Sequence, residues 1–525
     1  MAEWRILVAD EVAPEGVELL RSAAQVSVHA GLSEAELRAA LPGCHALVVR
    51  SATKVTARAL EAADSLVVIG RAGIGVDSID VAAATERGIA VMNTPESGAV
   101  TTAEHTLAMI MALARRIPLG DRLLREGDWA KPRLVGIELR GKTLGVVGLG
   151  RIGRVVADRA LGLKMRVLAH DPFLKEPPEG VQLVSFERCL AESDIVTLHA
   201  PLVAKTRHLM NAAAFAQMQP GARLVNCARG GLVDEAALQA ALESGHLAGA
   251  ALDVYDREPL DEAHPLLGLD NVILTPHLGA STREAKVAVV TDLAQQILTC
   301  LETGLVLNGI NVPHVPAGEA QFLAPFLKLA ERLGALLVQA FPGSLTALKV
   351  TTQGDLAQAG QRPVQVAALA GALRPLAEGA VTQVNAEKLA GEMDVALSGG
   401  QDRLKRDFVN LLRIEAEIDG GTHFASGTLI GRRHLRMVEL DAFLLDAIPE
   451  GELLLTWHQD RPGMLGRIGT LLGEHGVNIS RLQLGRHDGG ALAIYNLDAP
   501  LNEGVRNALA AVDGIGRIRT VSLPD

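Results

Sequence analysis

Cysteine is scarce in this sequence: Cys44, Cys189, Cys227 and Cys300 are the only four in 525 residues. None form a C-x-x-C pair, and their spacing fits neither a zinc site nor a disulfide framework, so reduced thiols in the cytosol are the plain reading. Long apolar runs are also missing. No uninterrupted stretch approaches the roughly 18 to 20 residues that a membrane span requires. The amino terminus, MAEWRILVADEV, carries charges and passes quickly into a strand-like run, which is not the pattern of a secretory leader. The expected location is the cytoplasm. A basic excess is absent too. The formal net charge is −11, which argues against nucleic acid or an anionic membrane as the partner, while leaving room for a local basic pocket.

What is present is core-forming material. The chain is 48% hydrophobic and 21% charged, enough to bury large cores, and its length calls for three or four domains. In the first hundred residues RILVAD (5–10) reads as a strand and APEGVELLRSA as a helix. ALVVR (46–50) is a second strand, LVVIGRAGIG (66–75) a strand running into a glycine turn, and IAVMNTP (89–95) another. Strands separated by helices predict parallel βα units in an open α/β sheet. TTAEHTLAMIMALARRI (101–117) reads as a mostly apolar helix in which His105 is a packed residue. A second α/β series begins at Lys142 and runs to about 280, and a long amphipathic helix follows over 281–304. Residues 317–450 are again α/β in pattern and hold no constellation that points to chemistry. The last segment, 451–525, reads as βαββαβ, a ferredoxin-like unit with an Asp-Gly-Gly hairpin tip.

The segment GKTLGVVGLGRIGRVVADRALGLKMRVLAHDP (141–172) carries the first functional signal. An apolar strand runs into Gly148, Gly150 and Gly153 in G-x-G-x-x-G spacing, and a helix and a second strand follow. The first glycine permits a tight turn, the second lets the backbone approach a pyrophosphate, and the third lets helix pack closely on strand. Phosphates then sit at the helix N-terminus, where free N–H groups and the helix dipole favour negative charge. Asp171, at the end of the second strand, is placed to bind ribose hydroxyls, and its carboxylate repels a 2′-phosphate. The expected cofactor is therefore NAD.

Three later segments each end a predicted strand: RLVNCARGG with Arg229, AALDVYDREP with Glu258, and NVILTPHLGAST with His277. Residues just past strand C-termini gather in the crevice of an open parallel sheet. Together the three side chains suit oxidation of an alcohol next to a carboxylate. His277, with an ordinary pKa near 6.5, serves as base. Glu258 holds the other imidazole nitrogen. Arg229 offers a fork of donors to the carboxylate, and the glycines beside it are expected to let substrate approach the backbone.

GLGRIG, NCARGGLVDE, ALDVYDREP and TPHLGAST, in this order and spacing, resemble the D-isomer-specific 2-hydroxyacid dehydrogenases. With the C-terminal half included, the whole chain resembles the long-form, phosphoglycerate-oxidising branch of that family. The resemblance implies two Rossmann-like lobes. A flavodoxin-like substrate lobe spans 1–97 and is completed by 281–310, with an NAD-binding lobe (98–280) inserted. An α/β intervening domain (317–450) and an ACT domain (451–525) follow. It implies Arg229, Glu258 and His277 as the catalytic trio. NAD contacts are implied at Gly148, Gly150, Arg151, Ile152, Gly153, Asp171, Cys227, Ala228, Arg229, Asp253, and His277 through Gly279 and Ala280. VVRSATKV and GRAGIGVDSID resemble the family's substrate segments, which implies Arg50, Ser51, Arg71, Gly73 and Asn93 as substrate contacts, and Lys54 beside them. Lys131 or Arg133 is implied as a cation lent by a neighbouring subunit. Ile74 stands where some relatives have threonine, and Ala200 where many do.

The implied reaction is oxidation of 3-phosphoglycerate to 3-phosphohydroxypyruvate with NAD, opening serine biosynthesis. A hydroxypyruvate or glyoxylate reductase is the alternative within the family, and an NADH- or serine-sensing binding protein the alternative outside it. In the tail, WHQDRPGMLGRIGTLLGEHGVNIS resembles the ACT module. That resemblance implies L-serine as effector, bound by His458, Asp460 and Asn478 where two such modules meet, in a homodimer or homotetramer. No metal is expected.

Overall fold

Short apolar runs, each followed by a helix, build the first sheet. Its strands are β1 (Arg5–Val8), β2 (Gln25–Val28), β3 (Ala46–Val49), β4 (Val68–Arg71) and β5 (Ala90–Asn93). The computed structural model describes residues 4–315, 318–402 and 408–523, so the expected start of the intervening domain at 317 lies outside the described residues. The sheet order is β2-β1-β3-β4-β5 with every pairing parallel, the flavodoxin-like order. Strands covered on both faces need apolar side chains on both, which is why β1, β3, β4 and β5 read as near-continuous hydrophobic runs. The edge strand β2 is mostly exposed, and its sequence QVSV has no apolar run to announce it. The neighbours β3, β4 and β5 end together. Val49 pairs with Arg71 and Arg71 with Asn93, so Arg50, Arg71 and Asn93 share one edge of this sheet.

The second sheet contains β6 (Thr143–Val147), β7 (Arg166–His170), β8 (Val181–Leu183), β9 (Ile195–Leu198), β10 (Ala222–Asn226), β11 (Leu247–Leu252) and β12 (Val272–Leu274). It is wholly parallel in the order β12-β11-β10-β9-β6-β7-β8. The chain order reverses between β6 and β9, the switch point at which doubly wound sheets bind ligands. The helix Ala99–Arg115 buries Ala103, Leu107 and Ile110 against Val156, Ala157 and Ala160 of the helix Arg151–Gly162, closing the core on one face.

The third sheet joins β13 (Leu345–Gly354), β14 (Ala396–Asp402), β15 (Asn410–Ile418), β16 (Gly421–Ile430), β17 (His434–Leu440) and β18 (Phe443–Ala447) in the order β14-β13-β15-β16-β17-β18. The β13–β14 pair is parallel and the others antiparallel. The helices Ala320–Ala340 and Gln361–Leu373 cover it. The last sheet, β19 (Gly451–Gln459), β20 (Ile479–His487), β21 (Gly490–Leu497) and β22 (Ile515–Leu523), has the order β20-β21-β19-β22, entirely antiparallel, with the helices Met464–Glu474 and Glu503–Ala510 between its strands. This is the expected βαββαβ unit.

The chain divides into two compact units. One takes in the chain up to Glu11, Val17–Asn93 and the chain from Leu293 onward; the other takes in Val12–Gly16 and Thr94–Asp292. Within the first, Thr382 Oγ1 donates to Gly88 O at 3.0 Å and Lys388 pairs with Glu86 at 2.9 Å, tying the first sheet to the layer that covers the third. No helix among the described residues is long and apolar enough to cross a membrane, and no metal-holding cluster occurs among them.

All four cysteines are free and buried. Burial pushes the thiols of Cys189, Cys227 and Cys300 up to about 12 and raises that of Cys44, so thiolate is scarce at neutral pH. The native chain is therefore expected to resist a thiol-titrating disulfide reagent, and the denatured chain to react at all four sites. Spectrophotometric titration with and without denaturant measures this, and rapid reaction of the native protein would contradict it.

Candidate active site and cofactor cradle

The turn after β6 is shaped by its glycines. Gly148 has φ of +94°, a left-handed conformation that suits glycine, and a Cβ there would lie 2.7 Å from the His199 carbonyl carbon. A Cβ on Gly153 would collide with the Gly148 carbonyl, so the third glycine does bring helix onto strand. At Gly150 a Cβ would meet nothing within 4 Å, which leaves open space in front of the N-terminus of the helix Arg151–Gly162. That is the cradle a pyrophosphate needs. Arg151 and Ile152 open this helix. Asp171, immediately after β7, accepts the Leu149 N–H at 2.9 Å and the Phe173 N–H at 3.0 Å. Its carboxylate is thereby fixed beside the glycine turn.

The proton-handling pair comes from the loops after β11 and β12. His277 Nδ1 and Glu258 Oε2 are 2.7 Å apart, which leaves Nε2 of the half-exposed imidazole available to a substrate. Tyr255 fixes the Glu258 side of the pair: its N–H donates to Glu258 Oε1 at 3.2 Å, and its hydroxyl donates to Thr275 O at 2.9 Å. Burial works to raise the Glu258 pKa, but the bond and charge of His277 and the Tyr255 N–H outweigh it, so this carboxyl sits below its ordinary value. It is ionised at neutral pH and orients the imidazole as an acceptor.

His277 sits in the left-handed region, φ +54°, and Asp253 holds it there. The His277 N–H donates to Asp253 O at 2.9 Å. The following N–H groups of Leu278 and Gly279 donate to Asp253 Oδ1 at 2.7 Å and Oδ2 at 2.8 Å. Thr275 Oγ1 adds a bond to Oδ1 at 2.6 Å. Asp253 is fully buried. Burial raises its pKa, and the bonds from His105, Thr275 and the Leu278 N–H lower it by more, for a net shift downward. A lowered folded pKa means that Asp253 stabilises the fold above the ordinary carboxylate value near 4, and that this contribution is lost as pH falls through the folded value. The melting temperature of wild type should thus exceed that of Asp253→Asn at neutral pH, with the gap closing in acid. A gap that widened as pH fell would refute this.

Arg229 follows β10 with extended backbone, φ −145°. Asn226 braces the turn, donating from Nδ2 to Arg229 O at 2.8 Å and accepting the Ala228 N–H at 3.0 Å. Cys227, just before it, is buried. The neighbouring glycines, expected to let substrate approach the backbone, have a packing role. A Cβ on Gly230 would overlap the Tyr255 carbonyl, and one on Gly231 would lie 3.1 Å from Leu202. These glycines let the Arg229 turn pack on the loop that carries Glu258, so the space on their side-chain side is filled by protein. Arg229, Glu258 and His277 therefore stand on three consecutive strand ends of one sheet, with the exposed Ala280 beside them.

In the other unit, Arg50 follows β3 with Nη1 donating to Glu11 O at 3.2 Å, and Ser51 beside it is exposed. The Arg71 guanidinium folds over Gly73, whose φ is +141°; a Cβ on Gly73 would collide with it. Asn93 is buried and its amide donates to Ile74 O.

The predicted effector residues do not form one cluster within the chain. Asn478 precedes Ile479, which pairs with Leu497 and through it lies level with Glu452; His458 is six residues farther along β19 and pairs with Ala491. At about 3.3 Å per residue that separation is roughly 20 Å. His458 is buried with Nδ1 2.9 Å from Gln459 O, Asp460 pairs with Arg486 at 3.3 Å, and Asn478 donates to Asp498 at 2.7 Å.

Sequence reasoning missed the bracing residues Tyr255 and Thr275 and the role of His105, which is packed as expected but also reaches Asp253 at 3.2 Å. No motif spacing announces them.

Residues 107–279 match the model of the D-isomer specific 2-hydroxyacid dehydrogenase NAD binding domain, residues 322–441 that of the D-3-phosphoglycerate dehydrogenase intervening domain, and residues 453–514 that of the ACT domain. A D-3-phosphoglycerate dehydrogenase from Synechocystis sp. is 42% identical over 99% of this chain and 95% of its own length. One from Archaeoglobus fulgidus is 40% identical over 97% of this chain and 98% of its own. Among solved structures, a glyoxylate reductase from Paecilomyes thermophila superimposes with a TM-score of 0.56 at 32% identity, covering 59% of this chain and 99% of its own. The cofactor is NAD. With a glycine cradle, a buried clamp and three strand-end side chains on one doubly wound sheet, and relatives that match over nearly their whole length, the chain belongs to the D-isomer specific 2-hydroxyacid dehydrogenase family, in the branch that carries the phosphoglycerate dehydrogenase intervening and ACT domains.

Proposed function

We propose that the chain oxidises 3-phospho-D-glycerate to 3-phosphohydroxypyruvate with NAD, the entry step to L-serine, in the cytoplasm. The observation that carries the chemistry is the His277–Glu258 pair at 2.7 Å beside the Arg229 turn. The full-length relatives named D-3-phosphoglycerate dehydrogenase support the substrate. NAD, when bound, supplies the hydride acceptor. His277 Nε2 takes the proton of the C2 hydroxyl while Glu258 stabilises the resulting imidazolium. Arg229 binds the carboxylate and polarises the C2 oxygen. The backbone around Gly150 with Arg151, Ile152 and Gly153 receives the pyrophosphate, Asp171 the ribose, and Cys227–Arg229, Gly279 and Ala280 the nicotinamide half, while the buried Asp253 acts from beneath by holding the turn that carries Gly279. Arg50, Ser51, Arg71, Gly73 and Asn93 bind the rest of the substrate, with Arg50 and Arg71 matched to its phosphoryl charge.

The chain works as a homo-oligomer. Ile117, Leu124, Trp129 and Val135 are each more than half exposed within one short segment, an apolar surface suited to a second copy. Lys131 and Arg133 lie in that same segment. L-serine is the effector. Because Asn478 lies far from His458 and Asp460 in one chain, the effector site combines residues of two ACT modules. Appearance of NADH from NAD and 3-phospho-D-glycerate, with and without L-serine, tests the proposal. Turnover inhibited by serine supports both parts, and no turnover with any 2-hydroxy acid would leave a sensing role instead.

A further inference from the structure

His105 is remote in sequence from every residue named above as catalytic, yet its side chain ends at the clamp beneath His277. It lies in the middle of the helix Ala99–Arg115, whose buried face carries Thr102, Ala103, Thr106 and Leu107. Nε2 is 3.2 Å from Asp253 Oδ1 and 3.3 Å from Thr275 Oγ1. Since Thr275 Oγ1 spends its own proton on Asp253 Oδ1 at 2.6 Å, both oxygens offer lone pairs to the imidazole. Only the tautomer protonated on Nε2 satisfies them. The same Oδ1 takes the Leu278 N–H, and Oδ2 takes the Gly279 N–H. The buried carboxylate thus gathers donors from a helix, a strand end and the turn that carries His277.

We propose that His105 is a positioning residue for the reaction: its Nε2–H completes the donor set of Asp253 and so holds the left-handed turn that aims His277 at the substrate. A buried carboxylate deprived of one donor is poorly compensated, and Asp253 is what restrains the backbone on both sides of His277. Slack there moves the imidazole relative to Glu258 and the substrate hydroxyl, and errors of about 1 Å in such a base cost on the order of 10²-fold in rate. This inference rests on the reading of His277 as the proton acceptor.

The test compares His105→Asn with His105→Gln in the full-length enzyme. Both are polar, but the glutamine amide reaches the place of Nε2 and the asparagine amide stops short. Steady-state kcat and KM, NADH affinity by fluorescence titration, and melting temperature are measured for each, with His277→Gln run alongside. The expected result is a kcat lower by about 10- to 100-fold in His105→Asn, with NADH affinity within about threefold of wild type, and recovery of most of that loss in His105→Gln. Wild-type kcat in a folded His105→Asn would overturn the inference, as would equal losses in the two variants that follow melting temperature or NADH affinity. Full activity in His277→Gln would instead overturn the catalytic reading beneath it.

Discussion

Replacing His277 by glutamine is expected to lower kcat by about 10²- to 10⁴-fold, the range that a positioned general base supplies. The side chain projects from a turn held by Asp253 through backbone N–H groups, so the change leaves the fold and the cofactor cradle intact. NADH binding should persist while NADH formation fails. Glu258→Gln is expected to give a smaller fall in the same direction. The amide oxygen still accepts from Nδ1, but the charge that stabilises the imidazolium is gone. Stopped-flow measurement of the hydride step in both variants checks this. An unchanged rate in His277→Gln would remove the base from the mechanism.

The second large effect is expected at Arg229. Truncation to alanine should lower kcat/KM by about 10²- to 10³-fold, because the guanidinium both anchors the carboxylate and meets charge developing on the C2 oxygen. Lysine should restore little of this, since a single ammonium cannot reproduce the planar fork. Truncation removes the bond from Arg229 Nη1 to Ala228 O at 2.7 Å, but the turn itself should survive, because Asn226 still braces it through the Arg229 and Ala228 backbone. Initial rates at varied substrate, with NAD saturating, separate the loss in KM from the loss in kcat. Full recovery in Arg229→Lys would reduce its role to that of a point charge.

These sites were legible in the sequence for a physical reason. The roles of Gly148, Gly150 and Gly153 follow from backbone geometry; the structure shows the tight turn at Gly148, the close helix-on-strand contact at Gly153 and open space at Gly150. Arg229, Glu258 and His277 could be grouped because a parallel sheet brings its strand ends together. Where a role depends on a partner far along the chain, local pattern is silent. His105 sits on an apolar helix and meets Thr275 across 170 residues, so nothing nearby distinguishes it from packing. The packing role of Gly230 and Gly231 is silent in the sequence for the same reason, since their neighbours Tyr255 and Leu202 belong to other loops. The edge strand β2 was invisible because exposure relieves it of the apolar run that marks its buried neighbours. The third sheet was readable as α/β but not in its strand order, which is set by packing under the helices Ala320–Ala340 and Gln361–Leu373.

This enzyme acts on a phosphorylated 2-hydroxy acid. The most direct test is the ratio of kcat/KM for 3-phospho-D-glycerate to that for D-glycerate, in wild type and in Arg71→Ala. The wild-type ratio is expected to be at least about 10², with most of that preference lost on removal of Arg71, since truncating a charge-paired guanidinium costs several kcal/mol. A ratio near or below one in the wild type would contradict it, and would place the chain among the reductases of small unphosphorylated acids.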